Sequence, residues 1–137
     1  MNFIDKAISD GLTGDDFLQA MADIYSESDV REILRNYPPF ISDVIMIIDY
    51  DTVLQMDGLD GIINGSLENK CIEIIDTLER CGIDSEATVI RQAKELSDTD
   101  VGKYEKECDN LYSKLALNND YEGFWKIMCD YIDKNLA

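Results

Sequence analysis

The sequence contains no histidine, and that absence removes a block of chemistry. There is no Ser–His or Cys–His nucleophile, no histidine metal ligand, and no side chain whose ordinary pKa lies near neutrality. Bases are scarce: 12 Lys and Arg stand against 29 Asp and Glu, for a formal net charge of −17. Such a surface repels nucleic-acid backbones and anionic membranes, so neither is expected as a partner. Long apolar runs are missing too. The richest, Val44-Ile45-Met46-Ile47-Ile48, falls far short of the ~20 residues that span a bilayer. The start, Met1 to Ile8, lacks the basic and apolar segments of a signal peptide. Four cysteines, at 71, 81, 108 and 129, form no CxxC pair and suit neither a zinc ribbon nor a redox motif. A cytoplasmic protein is expected, with reduced thiols that fill core and with no metal or cofactor.

What is present reads as helix. The 137 residues are 45% apolar and 30% charged, an ordinary balance for one globular domain. Ile4, Ala7 and Ile8 form a short amphipathic turn before Gly11. Thr13 is placed to cap a second helix with Phe17, Leu18, Met21 and Ile24 inward. Ser28 is placed to cap a third, with Val30, Ile33 and Leu34 inward; Pro38-Pro39 stops it and opens a fourth. That fourth element, Phe40 to about Gln55, is apolar on nearly every side, as a central helix wrapped by others would be. Dense β-branching at 44–48 argues for a strand, but the pattern outruns strand length and has no partner strand. Gly58, Gly61 and Gly65 mark a tight turn, after which Ser66 is placed to cap a helix through Leu78 that ends at Gly82. A further helix starts at Asp84 or Ser85 and runs to Leu96. Two longer ones follow, with Tyr104, Cys108, Leu111 and Leu115 inward, then Tyr121, Phe124, Trp125, Met128, Ile132 and Leu136. The expectation is one all-α domain, 1–137, of seven to nine helices around a central apolar helix.

No familiar catalytic or metal motif emerges. The acids from Asp49 to Asp60 fail the EF-hand pattern, because Val53 and Leu54 occupy the fifth and sixth places. The glycines at 58–65 are followed by no Gly-Lys-Ser/Thr and match no phosphate loop. A carboxylate pair for glycoside hydrolysis cannot be singled out among 29 acids. The aromatic face of the last helix lacks the basic groove that a base-stacking platform needs, and is expected to be core.

Charge layout is more informative. Between Lys6 and Arg31 lie six acids and no base, and between Arg35 and Lys70 again six and none. Residues 1–69 carry 14 acids and three bases; residues 70–137 carry 15 and nine. Asp16, Asp23 and Glu27 recur on one helical face, whereas Glu122, Lys126, Asp130 and Lys134 form a self-neutralising ladder. Rows of like charge self-repel, and serve either solubility or a cationic partner.

The segment Leu54-Gln-Met-Asp57-Gly58-Leu59-Asp-Gly-Ile62-Ile63-Asn64-Gly65-Ser66, with Leu78-Glu-Arg-Cys-Gly82-Ile83 and Ala93, resembles the bacterial DNA-mimic-protein-nineteen-like family. Gly58 stands at the second glycine of that family's turn, Leu59 at its Phe, Ile62 and Ile63 at its paired aromatics, and Gly82 at its helix-ending glycine. Asp57, Gly61 and Gly65 depart from its Gly, Gln and Asn. The likeness spans about 38–135. It implies an all-α, non-enzymatic fold and, in the named member, an acidic surface that occupies a DNA-binding regulator.

The reading is therefore an acidic interaction protein for a basic partner, either a DNA-binding regulator or, alternatively, a cationic nuclease toxin met by an immunity-like protein. Monomer and homodimer both fit the sequence. The expected contacts are Asp15, Asp16, Asp23, Glu27, Asp43, Asp49, Asp51, Asp57 and Asp60; Gly58, Gly61, Gly65, Ser66 and Gly82 are expected to build turns.

Overall fold

A computed structural model describes residues 2–26, 32 and 34–137. Among them are eight α-helices and no strand. They are α1 (Phe3–Ser9), α2 (Gly14–Met21), α3 (Pro39–Asp57), α4 (Leu59–Ile63), α5 (Cys71–Arg80), α6 (Asp84–Thr99), α7 (Val101–Ser113) and α8 (Tyr121–Leu136). The all-α class and the central helix are as the periodicity indicates. The expected third helix from Ser28 to Leu34 falls largely outside the described residues, as does Glu27.

Pro38 and Pro39 occupy the N-cap and first position of α3, where a missing N–H and a fixed φ do no harm. Nine of the 19 residues of α3 are buried, spread around its circumference, because helices cover it on both sides. On one side pack α2 and α8, with α1 against α2; on the other pack α4 and α5, continued by α6 and α7. The last helix thus returns to α2. One buried cluster runs through both groups, from Ile4 and Phe17 through Ile47 and Ile74 to Leu111 and Ile132.

The glycine segment joins α3 to α4. A Cβ on Gly65 would come within 2.7 Å of the Gly61 Cα and 2.9 Å of its carbonyl oxygen. A Cβ on Gly61 would meet Val53 Cγ1 and Asp57 Cβ, each at 2.7 Å. These two glycines are therefore required by close approach. Gly58, at the α3–α4 junction, has φ +72°, and Gly82 has φ +86°. Gly82 closes α5 as expected: its N–H donates to the Glu79 carbonyl, and the Ile83 N–H to that of Leu78, the paired bonds of a Schellman ending.

Two expected caps differ. Ser66 makes no cap hydrogen bond. A 3₁₀ turn, Glu68–Lys70, precedes α5, and the Leu67 and Glu68 N–H groups already donate to the carbonyls of Gly61 and Gly65. Thr13 holds the N-cap position of α2 without a side-chain cap bond; instead the Gly14 N–H donates to Asp133 Oδ1 of α8 at 2.6 Å. A carboxylate there satisfies an orphan donor and complements the helix dipole.

Candidate functional site

A cleft of about 650 Å³ lies between α2, α3, α8 and the 3₁₀ turn Ala22–Ser26. Its size is that of a site for a small molecule or a large side chain. Amphipathic spacing explains its walls. Phe17, Met21 and Ile24 turn fully into the core, which leaves Asp15, Gln19 and Ala22 along the opening. Ile48 and Leu18 give the cleft an apolar lining.

Three aromatic side chains complete it: Tyr25 from the turn, and Tyr121 and Trp125 from α8. Each is positioned by a specific contact. The Tyr25 hydroxyl lies 2.6 Å from Asp49 Oδ1 and 3.2 Å from Thr52 Oγ1. The Tyr121 hydroxyl donates to Asp51 Oδ2 at 2.9 Å. Trp125 meets Tyr121 and Phe124 edge-on, with ring centroids 6.0 and 4.9 Å apart. Tyr121 and Trp125 are only partly buried, so the aromatic side of α8 is not wholly core. Phe124, Met128 and Ile132 take the core positions, while residues one position to the side open on the cleft.

Three carboxylates line the cleft, Asp15, Asp51 and Glu122, with Lys126 as the cation among its described residues. Asp51 is half-buried, and burial raises its pKa; the hydroxyl of Tyr121 and the amide of Gln55, at 2.9 and 2.7 Å, counter some of that rise. Both donors are neutral and both favour the ionised carboxylate. Three carboxylates on one lining meet the minimum for a hydrolase pair.

The remaining expected acids are dispersed. Asp16 and Asp23 are exposed, but α2 gives way to the 3₁₀ turn after Met21, so they lie on two different elements and not on one α-helical face. Asp43 is a correction. It is 7% exposed and receives Arg80 Nη2 at 2.8 Å and the Tyr131 hydroxyl at 2.6 Å, so it ties α3 to α5 and α8. Asp60 accepts the Tyr104 hydroxyl at 2.8 Å and the Asn64 amide at 3.0 Å, holding α4 to α7. Asp57 is exposed at the end of α3. Of the expected acids the cleft brings together Asp15 and Asp51, joined by Glu122, which the ladder on α8 had assigned to an ordinary solvated face; Asp49 holds the Tyr25 hydroxyl from outside the lining.

Among the described residues no group of three or more His, Cys, Asp or Glu is placed to hold a metal ion, and no helix is long and apolar enough to cross a membrane. Comparison with protein-family models, curated proteins and solved structures gives no match to this chain.

Proposed function

We propose that the protein is an acidic interaction module that binds a basic protein partner through the face formed by α2, the middle of α3 and the start of α8. One observation carries this reading: Asp15, Asp51 and Glu122 converge on a cleft with aromatic walls, next to the exposed Asp16 and Asp23. The ion pairs joining described residues, Arg80–Asp43, Arg91–Glu79 and Lys94–Asp98, lie on α3, α5 and α6 instead. A net charge of −17 steers cationic proteins toward the chain, and carboxylates attract the Lys and Arg side chains that otherwise pair with phosphates. Occupation of a regulator's DNA-binding surface is the form suggested by the resemblance in the turn segment. Neutralisation of a cationic nuclease uses the same electrostatics.

The test is a titration of the basic protein retained by the tagged chain at low salt, repeated over a salt series. Asp16→Lys with Asp23→Lys should weaken binding and flatten its salt dependence. Asp130→Lys, on the exposed side of α8 and outside the cleft lining, should weaken binding less than the Asp16 and Asp23 pair. Equal losses from both variants would reduce the effect to net charge and remove the face assignment. Competition by duplex DNA separates a regulator's DNA-binding surface from other cationic surfaces.

A further inference from the structure

We infer that the cleft is a receptor for one arginine side chain of that basic partner, with the guanidinium held between Asp51 and the rings of Tyr121, Trp125 and Tyr25. The inference rests on the reading of this face as a surface for a cationic protein, and adds the chemical group that enters it. The cleft, at about 650 Å³, is lined with apolar and aromatic side chains beneath its carboxylates. A lysine ammonium is a compact, strongly hydrated charge, and loses that hydration at high cost against such walls. A guanidinium is planar and weakly hydrated; it stacks on aromatic faces and offers several N–H donors to carboxylates.

The carboxylates suit this occupant. Asp51 Oδ2 already accepts from both Tyr121 and Gln55, which fixes the group and leaves Oδ1 for an incoming donor. Asp15 on α2 and Glu122 on α8 add two further carboxylates to the lining. Lys126, also on the lining, repels any cation and neutralises part of Glu122 one turn away, so Asp15 and Asp51 carry most of the attraction. Tyr25 is 54% exposed, yet its hydroxyl is held by Asp49 and Thr52. It stands at the entrance as an anchored ring whose position does not have to be ordered on binding.

The sequence supplies its own reporter, since Trp125 is the single tryptophan. The probe is the blocked tripeptide acetyl-Gly-Arg-Gly-amide, compared with its lysine and citrulline counterparts by Trp125 emission. The arginine peptide should give a saturable change. The lysine peptide should bind about fivefold more weakly, and the neutral citrulline peptide should give no saturable change. Asp51→Asn, nearly isosteric, should weaken the arginine peptide at least about tenfold, with helical circular dichroism unchanged; Tyr25→Ala, at the exposed entrance, should also weaken it. Equal responses to arginine and citrulline, or an unchanged affinity in both variants, would overturn the inference. Binding of poly-L-lysine, followed calorimetrically over a salt series, separates the two levels. Salt-dependent poly-lysine binding without an arginine preference removes the cleft receptor and leaves the acidic face; absence of both removes the acidic face as well.

Discussion

Glu86 shows how one residue can set a pH response that composition does not announce. It is 3% exposed, and its two oxygens are met by the Tyr50 hydroxyl at 2.7 Å and the Ala116 N–H at 3.1 Å. Burial raises its pKa, and the two hydrogen bonds offset some of that rise. The folded chain therefore keeps this proton at pH values where the unfolded chain has released it. The resulting stabilisation is complete below the unfolded carboxyl pKa of ~4.3 and is lost as pH rises through the folded value. Glu86→Gln cannot ionise, so its stability relative to the natural protein should increase over that window in urea unfolding measured between pH ~4 and ~8. A constant difference across the series would show that Glu86 titrates as it does in the unfolded chain. Nothing in the sequence marks this site. Ser85-Glu86-Ala87 looks like the first turn of a helix, where an acid is at home in solvent, and only the arrival of Tyr50 and Ala116 encloses it.

Among the elements, the α3–α4–α5 passage separates two uses of glycine. Gly82 is selected for its backbone angle, and an alanine there should cost about 1 kcal/mol. Gly65 is selected because backbone lies where its Cβ would be, with the Gly61 Cα at 2.7 Å. An alanine at 65 must push neighbouring backbone segments apart, and should cost up to about 3 kcal/mol. Equilibrium unfolding of Gly65→Ala and Gly82→Ala gives the comparison; equal costs would mean that the α4 junction yields easily. The element pattern was legible where apolar spacing is strong. Phe17, Leu18, Met21 and Ile24 are all buried although the helix tightens into a 3₁₀ turn beneath Ile24, because the apolar face and not the hydrogen-bond register meets the core. Helix ends were less legible. The N–H groups that follow Ser66 and Thr13 are drawn elsewhere: those of Leu67 and Glu68 to the Gly61 and Gly65 carbonyls, and that of Gly14 to Asp133. The cleft was half legible. Base-free runs of acids pointed to Asp15 and Asp51, but the ladder on α8 concealed Glu122, and the same pattern mistook Asp43 for a surface acid.

At the scale of the whole molecule, electrostatics oppose folding in the free protein. A net charge of −17 on 137 residues is self-repelling, and the described ion pairs relieve it mainly around α5 and α6. Raising sodium chloride from ~0.01 to ~0.3 M shortens the screening length from ~30 Å to below ~10 Å, so Tm should rise by several degrees. A fall in Tm would mean that ion pairs outweigh repulsion. Partner binding should respond in the opposite sense, weakening as salt is added. The same carboxylates thus make the isolated chain less stable and its complex more so, which links stability to occupancy: a saturating cationic partner should raise Tm most at low salt.

The bond from the Gly14 N–H to Asp133 spans 119 positions of sequence. It has a consequence in time as well as in space. During synthesis α2 and α3 emerge long before α8, so one wall of the cleft is present while the other is still to be made. Tyr25 and Asp51 then have neither Tyr121 nor Trp125 opposite them. Chain closure at such sequence separation comes late and is slow compared with local helix formation. A nascent chain therefore carries much of its negative charge before the cleft is formed, and the proposed recognition through the cleft would be acquired only on completion of the fold.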